Sequence, residues 1–154
     1  MILPTEHAMM CLALDEAAKA AQRDEVPVGA VVYRDDQVIG SAHNLRQAQN
    51  DPTAHAEIIA LRSAAKHLGR WNLSDCSIAV TLEPCPMCAG ALINARIKRL
   101  VYGTRDPKMG CVYTLYQLPT DPRFNHRLEV TEGVLAGACS QILSDFFTKL
   151  RTAQ

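Results

Sequence analysis

No run of apolar residues in this 154-residue chain is long enough to cross a bilayer, so a helical membrane protein is excluded. Charge of either sign is not in excess: sixteen basic and sixteen acidic side chains cancel, and composition carries no sign of a nucleic-acid partner. Such a partner has to be argued from local features. The first residues, Met1 to His7, lack a basic segment followed by an apolar core, so no secretory signal is visible and a cytoplasmic location is the expectation. Repeats, linkers and low-complexity tracts are absent as well. What is there is globular: 48% hydrophobic and 21% charged residues, in a length that suits one domain with a real core and is short for two.

The six cysteines are read as reduced, packed or metal-bound, since nothing marks an oxidising compartment. Cys11 and Cys139 fall in helix-like apolar patterns, Cys76 lies beside a strand, and Cys111 sits in a loop. Only Cys85 and Cys88 have ligand spacing. Upstream of them stands His55-Ala56-Glu57. One imidazole and two thiolates make three protein ligands for a tetrahedral zinc and leave a fourth position for water. Glu57 is the natural carrier of that water's proton. By itself, Cys-x-x-Cys reads equally as a redox pair, half of a structural zinc site or half of a catalytic one. No second pair completes a closed structural site, and a redox motif needs neither Pro84 nor the upstream His-Ala-Glu. Glu57, set among the apolar neighbours of Ala54 to Ala60, is expected to be buried with a raised pKa.

Taken in order, the pattern predicts a helix from about Glu6 to Arg23, capped by Thr5, with Met10, Leu14, Ala17, Ala18 and Ala21 facing the core. A hairpin follows: Val28 to Tyr33, a turn at Arg34 to Gln37, then Val38 onward to Asn44. After a polar loop, Asp51 or Thr53 caps a helix that ends at Gly69, with Ala54, Ile58, Leu61, Ala65 and Leu68 on one stripe. Residues two apart on a regular helix point about 200° apart, so His55 and Glu57 share a site only where the helix begins. Ser77 to Leu82 reads as a buried strand, and Pro84 turns the chain into a helix carrying Cys85 and Cys88 at its first turn, where the dipole favours thiolates. Lys98 to Gly103 gives another strand. The chain from Thr104 to Phe124 is loop-rich with a short helix near Leu115, and Leu128 and Val130 mark an edge strand. A closing helix from about Ala136 to Arg151 presents Cys139, Ile142, Leu143, Phe146, Phe147 and Leu150. The sum is a three-layer α/β domain, residues 1–154, with a mixed five-stranded sheet between helices.

At His55-Ala56-Glu57 and Pro84-Cys85-Pro86-Met87-Cys88 the chain resembles the cytidine-deaminase-like zinc deaminases. Further blocks resemble the bacterial tRNA-specific adenosine deaminases, which make inosine at the anticodon wobble position: Glu25 to Val31, Asp51 to Glu57, Thr81 to Cys85, Gly103 to Asp106, Asn125 to Arg127 and Ser144 to Phe147. The resemblance implies one zinc per subunit held by His55, Cys85 and Cys88, Glu57 as proton shuttle, and a homodimer that binds a tRNA anticodon stem-loop and flips the target base. It implies that Asn44 hydrogen-bonds the nucleotide, that Val28 and Leu82 wall the base, and that Asp106 sits near the ribose. Phe147 is a candidate exposed contact, with Phe146 beneath it. Ordinary readings stand beside these: Asn44 as a turn cap, and Asp106 before Pro107 as turn chemistry. The pattern departs from the family at Cys111-Val112-Tyr113, which leaves the shape of that loop open. Two rival functions remain, deamination of a free base or nucleoside of guanine or cytosine type, and a noncatalytic zinc-stabilised RNA-binding subunit.

Overall fold

Side chains that alternate between two buried faces set the layers of this protein. The computed structural model describes residues 1–153. In chain order the elements are α1 (Pro4–Gln22), β1 (Gly29–Arg34), β2 (Gln37–His43), α2 (Ala56–Leu68), β3 (Ser77–Leu82), α3 (Pro86–Asn94), β4 (Arg99–Thr104), β5 (Glu129–Thr131) and α4 (Ala136–Thr152). Along β1, β3 and β4 alternate residues point to opposite faces. Ala30, Val32, Ile78, Val80, Leu100 and Tyr102 join one core with Ala56, Ala60 and Ala64 of α2 and Leu92 and Ile93 of α3. Val31, Tyr33, Ala79 and Val101 join a second core with Met9, Met10 and Ala13 of α1 and Cys139 of α4. Each large side chain so buried contributes roughly 1.5–3 kcal/mol, and a sheet covered on both faces collects this twice.

The strand order is β2-β1-β3-β4-β5. β1 pairs antiparallel with β2 and with β3, while β3–β4 and β4–β5 are parallel. The expected mixed five-stranded sheet between helices is what forms. It also brings several ends to one level: the Asn44 N–H donates to Val28 O (3.2 Å), Gly29 N to Thr81 Oγ1 (3.1 Å), and Glu83 N to Thr104 O (2.9 Å). Ligands of open α/β sheets bind beyond the carboxyl ends of parallel strands, and this level is that end of β3 and β4.

Several boundaries differ from the sequence expectation for identifiable reasons. α1 begins at Pro4, which is suited to a first helical position, and the Glu6 carboxylate rather than Thr5 completes the cap by accepting the Leu3 N–H at 3.0 Å. Its inner face is Met9, Met10, Ala13, Ala17 and Ala20, with Leu14, Ala18 and Ala21 only half-buried. α2 starts at Ala56, later than expected, because the Asp51 carboxylate is engaged in a turn with Thr53 N (2.8 Å) and Thr53 Oγ1 (2.7 Å). Its buried stripe is Ala56, Ala60, Leu61 and Ala64, with Ile58, Ala65 and Leu68 at the margin. No helix forms near Leu115, where the backbone N–H groups of residues 112–114 turn inward to a side chain instead of following one another. On α4 only Cys139 is fully buried, and Phe147 and Leu150 are 40% and 45% exposed.

The small inner faces of α1 and α2 have a steric cause. A Cβ on Gly29 would sit 1.9 Å from Ala13 O and 2.7 Å from Ala17 N, and one on Gly40 would sit 2.8 Å from Ala60 O. Each helix therefore rests its backbone directly on a strand glycine, and only alanines fit around the contact. Gly29→Ala must push α1 off the sheet, and urea unfolding is expected to show a loss of about 3 kcal/mol or more. Gly137→Ala, where an added methyl meets nothing within 4 Å, should stay within about 1 kcal/mol.

Candidate active site

Two helices begin at the same place. His55 is the N-cap residue of α2 and Cys85 the N-cap residue of α3, both in extended conformation, and Pro86 occupies the first turn of α3. The chain reaches the second start directly from β3 through Glu83-Pro84, and the first through the turn at Asp51 to Thr53. His55 Nδ1 lies 3.5 Å from Cys85 Sγ and 3.5 Å from Cys88 Sγ, and the donor atoms of all three residues fall within 4.8 Å of one another. Zinc bonds of about 2.3 Å to sulfur and about 2.0 Å to nitrogen, at a tetrahedral angle, place N and S about 3.5 Å apart. The distances and the soft donor set therefore fit a zinc ion, and the group can hold a metal.

The protons of this trio are shared unequally. A hydrogen bond from the Cys88 thiol, with His55 nearby, brings Cys85 down to about 4, whereas the same bond and burial push Cys88 far above the usual thiol range. Its hydrogen bond with Cys85 raises the His55 imidazole against the effect of burial. Glu57, in the first turn of α2 and 4% exposed, is pushed up to about 7 chiefly by burial. A carboxyl that titrates near neutrality can both take and return a proton at working pH.

The group opens on a cleft of about 880 Å³ whose walls include His55, Glu57 and Cys85, with Cys88 behind them. Val28, Asn44, Leu82, Asp106 and Phe147 all line the same cleft, so the residues singled out from sequence converge on one place. Their bonds are informative. Asn44 caps a turn through long contacts, its Nδ2 donating to Val26 O at 3.4 Å and its Oδ1 accepting from Arg46 N at 3.3 Å. Asp106 Oδ1 accepts from Lys108 N (3.0 Å) and Met109 N (3.2 Å), which is the turn chemistry expected before Pro107. Phe147 is exposed beside a half-buried Phe146, with the rings edge to face at 5.3 Å.

Sequence reasoning passed over the charged rim and two anchors. Arg46, Arg105 and Lys108 stand at the cleft. Arg105 is held by Glu132 (2.9 and 3.1 Å) and lies over the Tyr113 ring at 3.7 Å. The anchors are Glu25 and Glu83, each 1% exposed. Glu25 accepts the N–H groups of Gln47 (2.6 Å) and Ala48 (2.9 Å), and Glu83 those of the loop beyond β4. Their signal in the sequence was a carboxylate embedded in an apolar, proline-flanked block.

A mixed sheet with two helix starts aimed at a His/Cys/Cys group, beside a buried carboxylate in a cleft, is the layout of a metal-dependent hydrolase. The profile of the MafB19-like deaminase family matches residues 5–151. The chain is 48% identical to the tRNA-specific adenosine deaminase of Bacillus subtilis over 90% of its own length and 86% of that protein. It is 51% identical to the tRNA-specific adenosine deaminase of Haemophilus influenzae over 95% and 85%. A solved tRNA deaminase that performs A-to-I editing at the wobble position of transfer RNA superposes with a TM-score of 0.85, at 44% identity over 88% of this chain and 99% of that one. The guanine deaminase of Nitrosomonas europaea also superposes, with a TM-score of 0.79 at 25% identity over 96% and 86%. The chain belongs to the MafB19-like deaminase family and, within it, to the tRNA-specific adenosine deaminases.

Thiol reactivity checks the site. Cys11 is exposed, Cys76, Cys111 and Cys139 are buried, and burial pushes Cys76 and Cys139 up to about 11. With metal bound, an aromatic disulfide reagent should titrate one thiol promptly. After chelation the count should rise to two as Cys85 is released, because Cys88 is as buried as the three packed thiols.

Proposed function

We propose that this chain is a single-domain zinc enzyme that deaminates adenosine to inosine at the wobble position of a tRNA anticodon. The observation that carries the chemistry is the buried Glu57 beside the His55, Cys85 and Cys88 donors, all facing or backing one cleft. Zinc held by these three residues would supply a Lewis acid that lowers the pKa of water to near neutrality.

Glu57 does the proton work. It takes one proton of the attacking water and hands it to the adenine ring nitrogen as the new C6–O bond forms, then takes the second from the resulting C6 hydroxyl and delivers it to the departing amine, so that the C6–N bond breaks, ammonia leaves and the C6 oxygen remains as the carbonyl of inosine. Val28 and Leu82 flank the base, Asn44 exchanges its long turn contacts for the nucleotide, Asp106 lies toward the ribose, and Phe147 offers an exposed face to a neighbouring base. Arg46, Arg105 and Lys108 at the rim suit a phosphate backbone although the whole chain is neutral. The likeness to tRNA deaminases supports RNA as substrate, and a homodimer and a cytoplasmic location complete the reading. No described helix is long and apolar enough to cross a membrane.

Glu57→Ala is expected to keep its zinc, measured by metal analysis, while single-turnover deamination falls by about 10³-fold or more. Substantial residual turnover would remove Glu57 from the shuttle role. The substrate is tested by offering the zinc-loaded protein an anticodon stem-loop, free adenosine, guanine and cytosine, with inosine and ammonia as readouts. Inosine should appear only in the stem-loop. Release of ammonia from guanine with an untouched stem-loop would move the chain to the free-base deaminases.

A further inference from the structure

Glu83 directly follows β3, two residues before Cys85, and its carboxylate is used to the limit. Oε1 accepts from Asp106 N (3.0 Å) and Thr114 Oγ1 (2.6 Å), and Oε2 from Val112 N (3.1 Å), Tyr113 N (2.8 Å) and Thr114 N (2.9 Å). Both oxygens are committed to one segment, residues 106–114, which contains neither helix nor strand. That segment carries Asp106, Lys108 and Met109 into the cleft at one end and Tyr113 beneath Arg105 at the other. Gly110 lies against the same carboxylate: a Cβ there would sit 2.4 Å from Glu83 Cδ and Oε1. With five donors on two oxygens, Glu83 has no lone pair to spare for metal or substrate proton.

We infer that Glu83 is a positioning residue for RNA capture, holding the segment 106–114 as one wall of the cleft so that stem-loop affinity, and not the chemical step, depends on it. This rests on the reading of an RNA stem-loop as substrate. The five bonds to Glu83 fix what Glu83→Gln does. Three N–H groups point at Oε2, so the glutamine oxygen takes that place and its NH₂ takes the place of Oε1. The Thr114 hydroxyl can rotate to accept from it, but the Asp106 N–H cannot. The substitution therefore releases Asp106, the cleft end of the segment, and leaves the far end tied.

Stem-loop binding is measured by fluorescence anisotropy in a Glu57→Ala background, with and without Glu83→Gln, and kcat and KM in the otherwise active protein. Kd and KM should rise about 10-fold, the loss expected for one hydrogen bond to a charged group, while kcat stays within about 3-fold and zinc content is unchanged. Gly110→Ala, which displaces the carboxylate from the other side, should reproduce the affinity loss, and Thr114→Ser, which keeps every donor, should not. A fall in kcat or zinc content at unchanged Kd would overturn the inference and assign Glu83 to support of the Cys85 turn. Unchanged constants in both Glu83→Gln and Gly110→Ala would overturn it as well. A parent protein that binds no stem-loop would overturn the RNA reading and this inference with it, whereas a binding parent with unaffected variants overturns this inference alone.

Discussion

The coincidence of two helix starts is the constraint on which the rest of this structure depends. A thiolate at the first turn of α3 is stabilised by that helix's positive end, and the imidazole at the entry of α2 is brought to it at 3.5 Å. Neither helix has a side-chain cap at its N-terminus, because the residue in the cap position, His55 or Cys85, turns its side chain to the His/Cys/Cys group instead. The cost is typically about 1 kcal/mol for each missing cap, which the burial of both helices on one sheet face offsets. Glu57 enters the same site only because α2 is not yet regular at its first turn.

Most of the architecture was legible before the fold was known. Continuous apolar, β-branched runs in Val28 to Tyr33 and Ser77 to Leu82, and prolines at helix starts, carry their own physical meaning, and the candidate metal donors stand out by their spacing. The helix faces were less legible. Leu14 outranks Ala13 in hydrophobicity, yet Ala13 faces the sheet, since the deciding fact is a close approach to Gly29, sixteen residues further along the chain, and only the fold reveals which glycine meets which helix. The segment after β4 was misread for a related reason. A carboxylate that replaces local backbone hydrogen bonding with five long-range bonds removes the need for a helix near Leu115, and pairing across residues 83 and 114 leaves no local pattern.

The cleft walls share a design. Loop residues 47 and 48 hang from Glu25 on one side and residues 106 to 114 from Glu83 on the other. Each buried carboxylate is satisfied by backbone donors, which makes it a fixed point and not a reactive group. Substrate-facing side chains can then vary along a loop whose backbone stays in place. The departure from the family pattern at Cys111-Val112-Tyr113 is accommodated in this way: Cys111 and Val112 turn inward to the core, Tyr113 turns outward under Arg105, and the N–H groups of Val112 and Tyr113 reach the same carboxylate.

The seat of α1 on Gly29 reaches further than packing. Gly29 adjoins Val28, which lines the cleft, and its N–H donates to Thr81, the neighbour of Leu82. Ala13 and Ala17 thus lie on the far side of the sheet from the His55, Cys85 and Cys88 group, yet a methylene added to either moves the strand that begins beside Val28 in the cleft wall. Helix positions that never reach the cleft thereby help to set where its Val28 wall stands.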